Sequence, residues 1–184
     1  MAFSISDFRS NALGAGGARA NLFDVTISGV GATGNLSAGA LSEFVFACKA
    51  AQIPPSTIGV VEVPYFGRVV KVPGNKTFEN WNVTIINDEN FDIRSGMEEW
   101  MASMSSHLGN LNTATNENLY GTGVVKQYPK TGATAGAIAE YKFEKIFPVN
   151  ISEIALDWSS NDAIEEFTVE FAYDYWTHSG VALG

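Results

Sequence analysis

The chain has 184 residues, 46% of them hydrophobic and only 17% charged, which suits one globular domain spanning residues 1–184. Eleven Lys and Arg against twenty Asp and Glu give a net charge of −9, which excludes a generally basic nucleic-acid binder. Cys48 is the sole cysteine and there are two histidines, so an internal disulfide framework and multi-cysteine metal sites are excluded and little remains for acid–base chemistry.

Residues 1–20 are rich in Ala, Gly, Ser and Asn and read as a flexible arm, or one that orders against a partner through Phe3, Ile5 and Phe8. They lack the cationic start and apolar run of a signal peptide, and no stretch reaches membrane-span length, so the sequence reads as a soluble protein made in a cytosol. Phe23, Val25 and Ile27 alternate with Asp24, Thr26 and Ser28, which predicts a half-buried strand. Residues 29–39 have loop composition. Phe44, Phe46 and Cys48 repeat the alternation and predict a second strand, with Cys48 a buried small hydrophobe on their shared face and Pro54-Pro55 ending it.

Two valine runs, residues 60–63 and 69–72, flank Pro64-Tyr65-Phe66-Gly67-Arg68. That pattern predicts a hairpin with Gly67 at positive φ. It contains few charges, and such a hairpin is an aggregation hazard on a monomer unless its own core or another subunit covers it. Phe78, Trp81, Val83 and Ile85 predict the next strand. From Ile93 to Leu108, apolar residues recur at steps of three and four. One amphipathic helix is therefore predicted over about 91–108, started by Asn90 or Asp92 and stopped by Gly109, with Met97, Met101 and Met104 on its core face. Residues 109–123 are polar and read as a loop. Strands resume at 124–128 and 141–147, then at Ile154-Leu156-Trp158 and from Phe167 to Tyr175, with a turn over residues 159–162. Seven or eight strands with a single helix favour a mainly β fold, an antiparallel barrel or sandwich with one flanking helix.

Seven acids and no Lys or Arg follow Lys145. Glu166, Glu170 and Asp174 alternate with the aromatic positions of the last strand, which puts one sign of charge on its polar face. No nucleophile elbow occurs. Gly74-Asn75-Lys76-Thr77 resembles the end of a phosphate loop but lacks the upstream glycine and leads into a strand. The pairs Glu98-Glu99 and Glu165-Glu166 are sequence neighbours that point apart, and Asp88, Glu89 and Asp92 suit capping of the helix start. The reading is a chain with no enzyme activity and no cofactor or metal.

The ordered series of short motifs resembles a known family. It runs from Asn21-Leu22-Phe23 through Cys48-Lys49-Ala50-Ala51 and Ile53-Pro54 to Glu62-Val63-Pro64-Tyr65-Phe66-Gly67-Arg68 and Val72-Pro73-Gly74-Asn75-Lys76-Thr77-Phe78. It continues with Trp81-Asn82-Val83-Thr84, Asn87-Asp88-Glu89, Arg94, Trp100, Ile146-Phe147-Pro148, Leu156-Asp157-Trp158, Asn161 and Tyr173-Asp174-Tyr175-Trp176. In this the chain resembles the tail tube proteins of contractile-tailed bacteriophages, and more distantly the tubes of bacteriocins, injection systems and type VI secretion. The resemblance implies a β-barrel-like core, sixfold rings stacked into a hollow tube inside a contractile sheath, and a channel lined by sheets. It implies as partners other copies of the chain, the sheath protein, baseplate and terminator proteins, a tape measure protein, and double-stranded DNA that transits without specific binding, with no membrane. Location would be the virion tail, assembled in the host cytoplasm. The segment over residues 52–76 corresponds to one that reaches a neighbouring subunit or ring, so Val63, Pro64, Tyr65, Phe66, Gly67 and Arg68 are the expected contacts. An acidic lumen repels phosphate, and Glu166, Glu170 and Asp174 are the lumen-facing candidates. Other readings are the tube of a phage-derived injection apparatus and, from a different class, a monomeric ligand-binding barrel.

Overall fold

The computed structural model describes residues 4–11, 16–29, 36–109, 111–112, 119–131 and 136–179. Its described elements are α1 (Ile5–Asn11), β1 (Phe23–Ser28), α2 (Ala38–Ala47), β2 (Cys48–Ala51), β3 (Thr57–Tyr65), β4 (Arg68–Thr77), β5 (Trp81–Ile86), α3 (Asp92–Met104), β6 (Gly121–Gln127), β7 (Ala139–Ile151), β8 (Glu166–Ala172) and β9 (Tyr175–His178). The fold is mainly β and antiparallel, as predicted. A seven-stranded sheet runs β1-β6-β7-β8-β5-β2, with β9 also paired to β7, and β3-β4 form a separate ribbon.

The sheet folds over its core at β7. The first part of this long strand pairs with β6 on one side and β9 on the other, and its last residues pair with β8. Lys145 sits at the bend with φ 55, opposite a register shift between Gly121 and Thr122. One extra residue in one strand is a bulge, which bends the strand and sharpens its twist. The end strands β1 and β2 are not paired to each other, so the sheet does not close into a barrel, and α2 packs against both.

Alternation decides the interior. Val25 and Ile27, Val83 and Ile85, and Phe167, Val169 and Phe171 all point inward and are buried. Trp81 lies at the centre, stacked on Phe143 at 4.4 Å and tilted against Phe171 at 5.5 Å. Its indole N–H donates to the Gln52 carbonyl at 3.0 Å. Trp100 is fully buried, and its indole N–H donates to the Leu119 carbonyl at 2.7 Å. Both rings lie over β6, where the core-facing residues are Gly121 and Gly123. A Cβ at Gly121 would come to 2.9 Å from the Trp100 ring, and one at Gly123 to 2.9 Å from the Trp81 ring.

Several expectations are corrected. Three helices are described, not one. Residues 38–47 form α2 and not part of a strand. Ser37 caps it by accepting the Ala40 N–H at 3.0 Å, and the helical period buries Ala40 and Phe44 together. Phe46 therefore turns to the opposite side and is 88% exposed, so it shares no face with Phe44. The long helix is Asp92–Met104, shorter than predicted at both ends, and closes at Ser105. Phe91 occupies its cap position at φ 58 without a side-chain cap bond, and Asp88 instead accepts the Asp92 N–H at 3.2 Å. Strand β6 begins at Gly121, inside the expected loop. Ile154, Leu156 and Trp158 form no strand: Asp157 accepts both the N–H and the hydroxyl of Ser159, and Leu156 and Trp158 are exposed in a loop. The last strand is broken between β8 and β9, where the Asp174 N–H bonds the Glu144 carbonyl.

Candidate assembly surfaces

The β3–β4 ribbon is unburied along its whole length. Its register pairs Val61 with Val72, Val63 with Val70 and Tyr65 with Arg68, so these six side chains share one face. The other face carries Val60 with Pro73, Glu62 with Lys71, and Pro64 with Val69. None of the residues of β3 or β4 is buried. The ion pair of Glu62 and Lys71 is long, at 3.9 Å, and exposed, so it adds little. Phe66 and Gly67 form the tip at φ 44 and φ 76. Two successive left-handed residues make the two-residue turn whose twist matches the strands. Glycine adopts that conformation readily, whereas a bulky residue does so at a cost of about 1–3 kcal/mol. Phe66 is nonetheless there, 91% exposed, with its ring edge-on to Tyr65 at 4.6 Å.

The acids of the C-terminal strands are distributed differently from the expectation. Glu166 and Glu170 do share the outer face of β8, with Thr168 between them. Across the sheet this face continues through Asn82, Thr84 and Ile86 of β5. Asp174 lies outside β8, in the bend before β9. Each acid has a partner. Glu166 pairs with Lys49 at 2.5 Å, Glu170 accepts from the Asn80 amide at 2.8 Å, and Asp174 pairs with Lys145 at 3.2 Å. Asp174 also holds the Lys145 ammonium, whose pKa it raises. The one-sign field of the sequence is thus reduced by Lys49 and Lys145, while Glu170 is bonded by a neutral amide and by no cation among the described residues. The other outer face carries mixed charge, with Lys142 paired to Glu144 at 2.7 Å. Near it, Tyr128 donates to Asp24 at 2.6 Å, which pushes the phenol up to about 12.

Cys48 is buried at the start of β2, and burial pushes its thiol up to about 12. A thiol in that state is not a nucleophile at neutral pH. We expect native protein to resist iodoacetamide at pH 8 and to be alkylated once unfolded, as mass spectrometry would read. Any stability the buried thiol contributes is complete below about pH 9 and is lost as pH rises from there toward 12, because the unfolded chain ionises first. Among the described residues, Glu43, Asp88 and Asp92 are the only group with metal-like spacing, within 4.8 Å of one another. Sequence reading placed Asp88 and Asp92 at the helix start but missed Glu43, which α2 brings in. It also missed Phe46, Leu156 and Trp158 as exposed apolar groups.

The β body thus carries exposed valines and aromatics on its two-stranded ribbon. The chain belongs to the phage tail tube protein family, whose model matches residues 18–179. It is 34% identical over 160 residues to the tail tube protein gp19 of Enterobacteria phage T4, covering 86% of this chain and 90% of that protein. A tail tube protein of Serratia phage KSP90 is 28% identical over 120 residues, covering 65% of this chain and 66% of that one. The fold matches solved contractile-system structures. One is a sheath/tube terminator structure of the extracellular injection system PVC, with TM-score 0.64, 13% identity, and 88% of this chain and 96% of that chain covered. Another is an anti-feeding prophage baseplate structure, with TM-score 0.62, 12% identity, and 91% and 98% covered. Tail tube proteins are structural, so this chain is not an enzyme.

Proposed function

We propose that this protein forms sixfold rings that stack into the hollow inner tube of a contractile phage tail, the conduit for genome delivery. The observation that carries this reading is the ribbon over residues 57–77. It exposes a valine face and an aromatic tip that a monomer has no use for, and a copy in the same or the next ring buries them through Val63, Pro64, Tyr65, Phe66, Gly67 and Arg68. The whole chain acts as one tube domain. Its partners are other copies, the surrounding sheath, the baseplate, the terminator and a tape measure protein inside the tube. The subunit is made in the host cytoplasm and resides in the virion tail. Electron microscopy of the purified protein at high concentration tests this reading. Sixfold hollow rings or tubes are expected, and a protein that stays monomeric even with a baseplate to start growth sinks it.

In this reading the outer face of β8 and β5 lines the channel, because it offers Thr, Asn and uncompensated Glu170 and no unpaired cation. Like charge keeps transiting phosphates off the wall. Reversal to lysine at Glu170 should slow DNA release from otherwise normal particles, measured by the rate of genome ejection. Unchanged kinetics would move the lining to another face. The identity to phage tubes supports a genome as cargo. In a phage-derived injection apparatus the same tube carries protein, and capsid and portal genes beside this one select between the two.

A further inference from the structure

A second unpartnered apolar surface lies away from the ribbon. Phe46 and Ala47 of α2, Ile86 at the end of β5 and Ile93 of α3 form a groove of about 340 Å³, almost wholly apolar in lining. Phe46 stands as its exposed wall and Ile93 as its buried floor. One rim is acidic: the carboxylates of Glu43, Asp88 and Asp92 converge there within 4.8 Å. Among the described residues, no cation is paired with any of the three, and one oxygen of Asp88 is buried without a hydrogen-bond partner. Three gathered acids beside an apolar slot call for a ligand with a cation next to one or two large apolar side chains.

Helix α1 has that form. Ile5, Phe8 and Arg9 fall at i, i+3 and i+4, so they share one face. No residue of α1 is buried, Ile5 and Phe8 are exposed, and Arg9 has no ion-pair partner among the described residues. The chain from Asn11 to Leu22, fully extended, can reach about 36–40 Å. We propose that α1 of one copy docks in the α2–α3 groove of another, with Phe8 against Phe46 and Ile93 and Arg9 on the Glu43–Asp88–Asp92 rim. The inference rests on the tube reading, since it needs a neighbouring copy. Apolar anchors in a slot with a charged group at the edge are the usual composition of an interface hot spot. The charges set register as well as affinity.

The test uses full-length chain under assembling conditions. Arg9→Glu and Glu43→Arg should each raise the critical concentration for tube formation about tenfold, and combining them should restore assembly. All are exposed positions, and thermal melts verify that the fold is kept. In a second arm, tubes are grown from a mixture of Phe8→Cys chains and Phe46→Cys chains and then oxidised. Disulfide-linked dimers joining the two variants are expected. Normal assembly of Arg9→Glu, or tubes that form without the Phe8–Phe46 link, overturns the proposal while leaving the tube reading intact. So does linkage of Phe46→Cys to a Phe66→Cys chain instead, which would make the ribbon tip the occupant. A Phe8→Cys/Phe46→Cys chain that closes on itself in dilute monomer overturns it too, since the arm then serves its own groove. If the unsubstituted chain never assembles, the tube reading fails and this inference falls with it.

Discussion

Replacing Val63 and Val70 together with aspartate should leave a folded monomer that no longer assembles. The two residues face each other across the ribbon, in the middle of its valine face. Neither touches the buried core cluster. Exposed substitutions away from a core shift stability by about 0.5 kcal/mol or less, so the thermal melt should hardly move. In an assembled interface, however, two carboxylates would be buried side by side against apolar surface. Stranding a buried charge costs about 3–5 kcal/mol, which corresponds to roughly a hundred- to five-thousandfold rise in critical concentration. Sedimentation velocity beside a melting curve reads both quantities. A variant that assembles as before would show that the ribbon is not the contact. A variant that unfolds would show that it belongs to the core.

The opposite pattern is expected for Trp81→Ala. This ring is the centre of the aromatic cluster, between Phe143 and Phe171, and its N–H fixes the Gln52 carbonyl beside the root of the ribbon. Gly123 gives it room that no other side chain can fill without rebuilding. Truncation leaves a cavity and removes the hydrogen bond to Gln52, and large-to-small changes of this kind cost about 3–5 kcal/mol. Urea unfolding should show that loss. Trp81→Phe separates the two contributions: it retains most of the packing and loses only the hydrogen bond, about 1 kcal/mol. An alanine variant of near-normal stability would mean the core closes over the gap, contrary to the rigid contacts around it.

These two variants mark what the sequence made legible. The ribbon could be read because its signals are local: two valine runs, a proline, and Phe-Gly at the tip. The strand from Trp81 to Ile86 and the helix at Asp92 were equally plain, since their periods of two and about 3.6 are written in adjacent residues. What failed depended on distant neighbours. Phe44, Phe46 and Cys48 alternate like a strand, but Ala40 with Phe44 is the spacing that matters once α2 lies against β1. Gly121 and Gly123 looked like loop because the apolar groups that fill their places on the core face belong to Trp81 and Trp100. Leu156 and Trp158 alternate without any strand to pair with. The candidate acids were found by composition, but their partners were not. Lys49 is 117 residues from Glu166, and only the fold joins them.

The ribbon has a further consequence, one of timing. Two strands alone, without a third strand or a helix to cover a face, are marginally stable in water. Among the described residues β3 and β4 pair only with each other, and Lys76 at the base, 4.9 Å from the Trp176 ring, ties the ribbon to the body, so its outer part is locally weak. In the proposed tube, docking onto another copy would supply the missing layer, and the first contact would have to meet the entropy of setting the ribbon straight. Later subunits arriving at a finished rim find their docking surface already ordered. Growth on an existing end is therefore faster than starting a new one. On the proposed tube reading, a pool of this protein would stay dispersed at concentrations where a nucleating platform sets off elongation, and the number of tubes would follow the number of starting points rather than the supply of subunits.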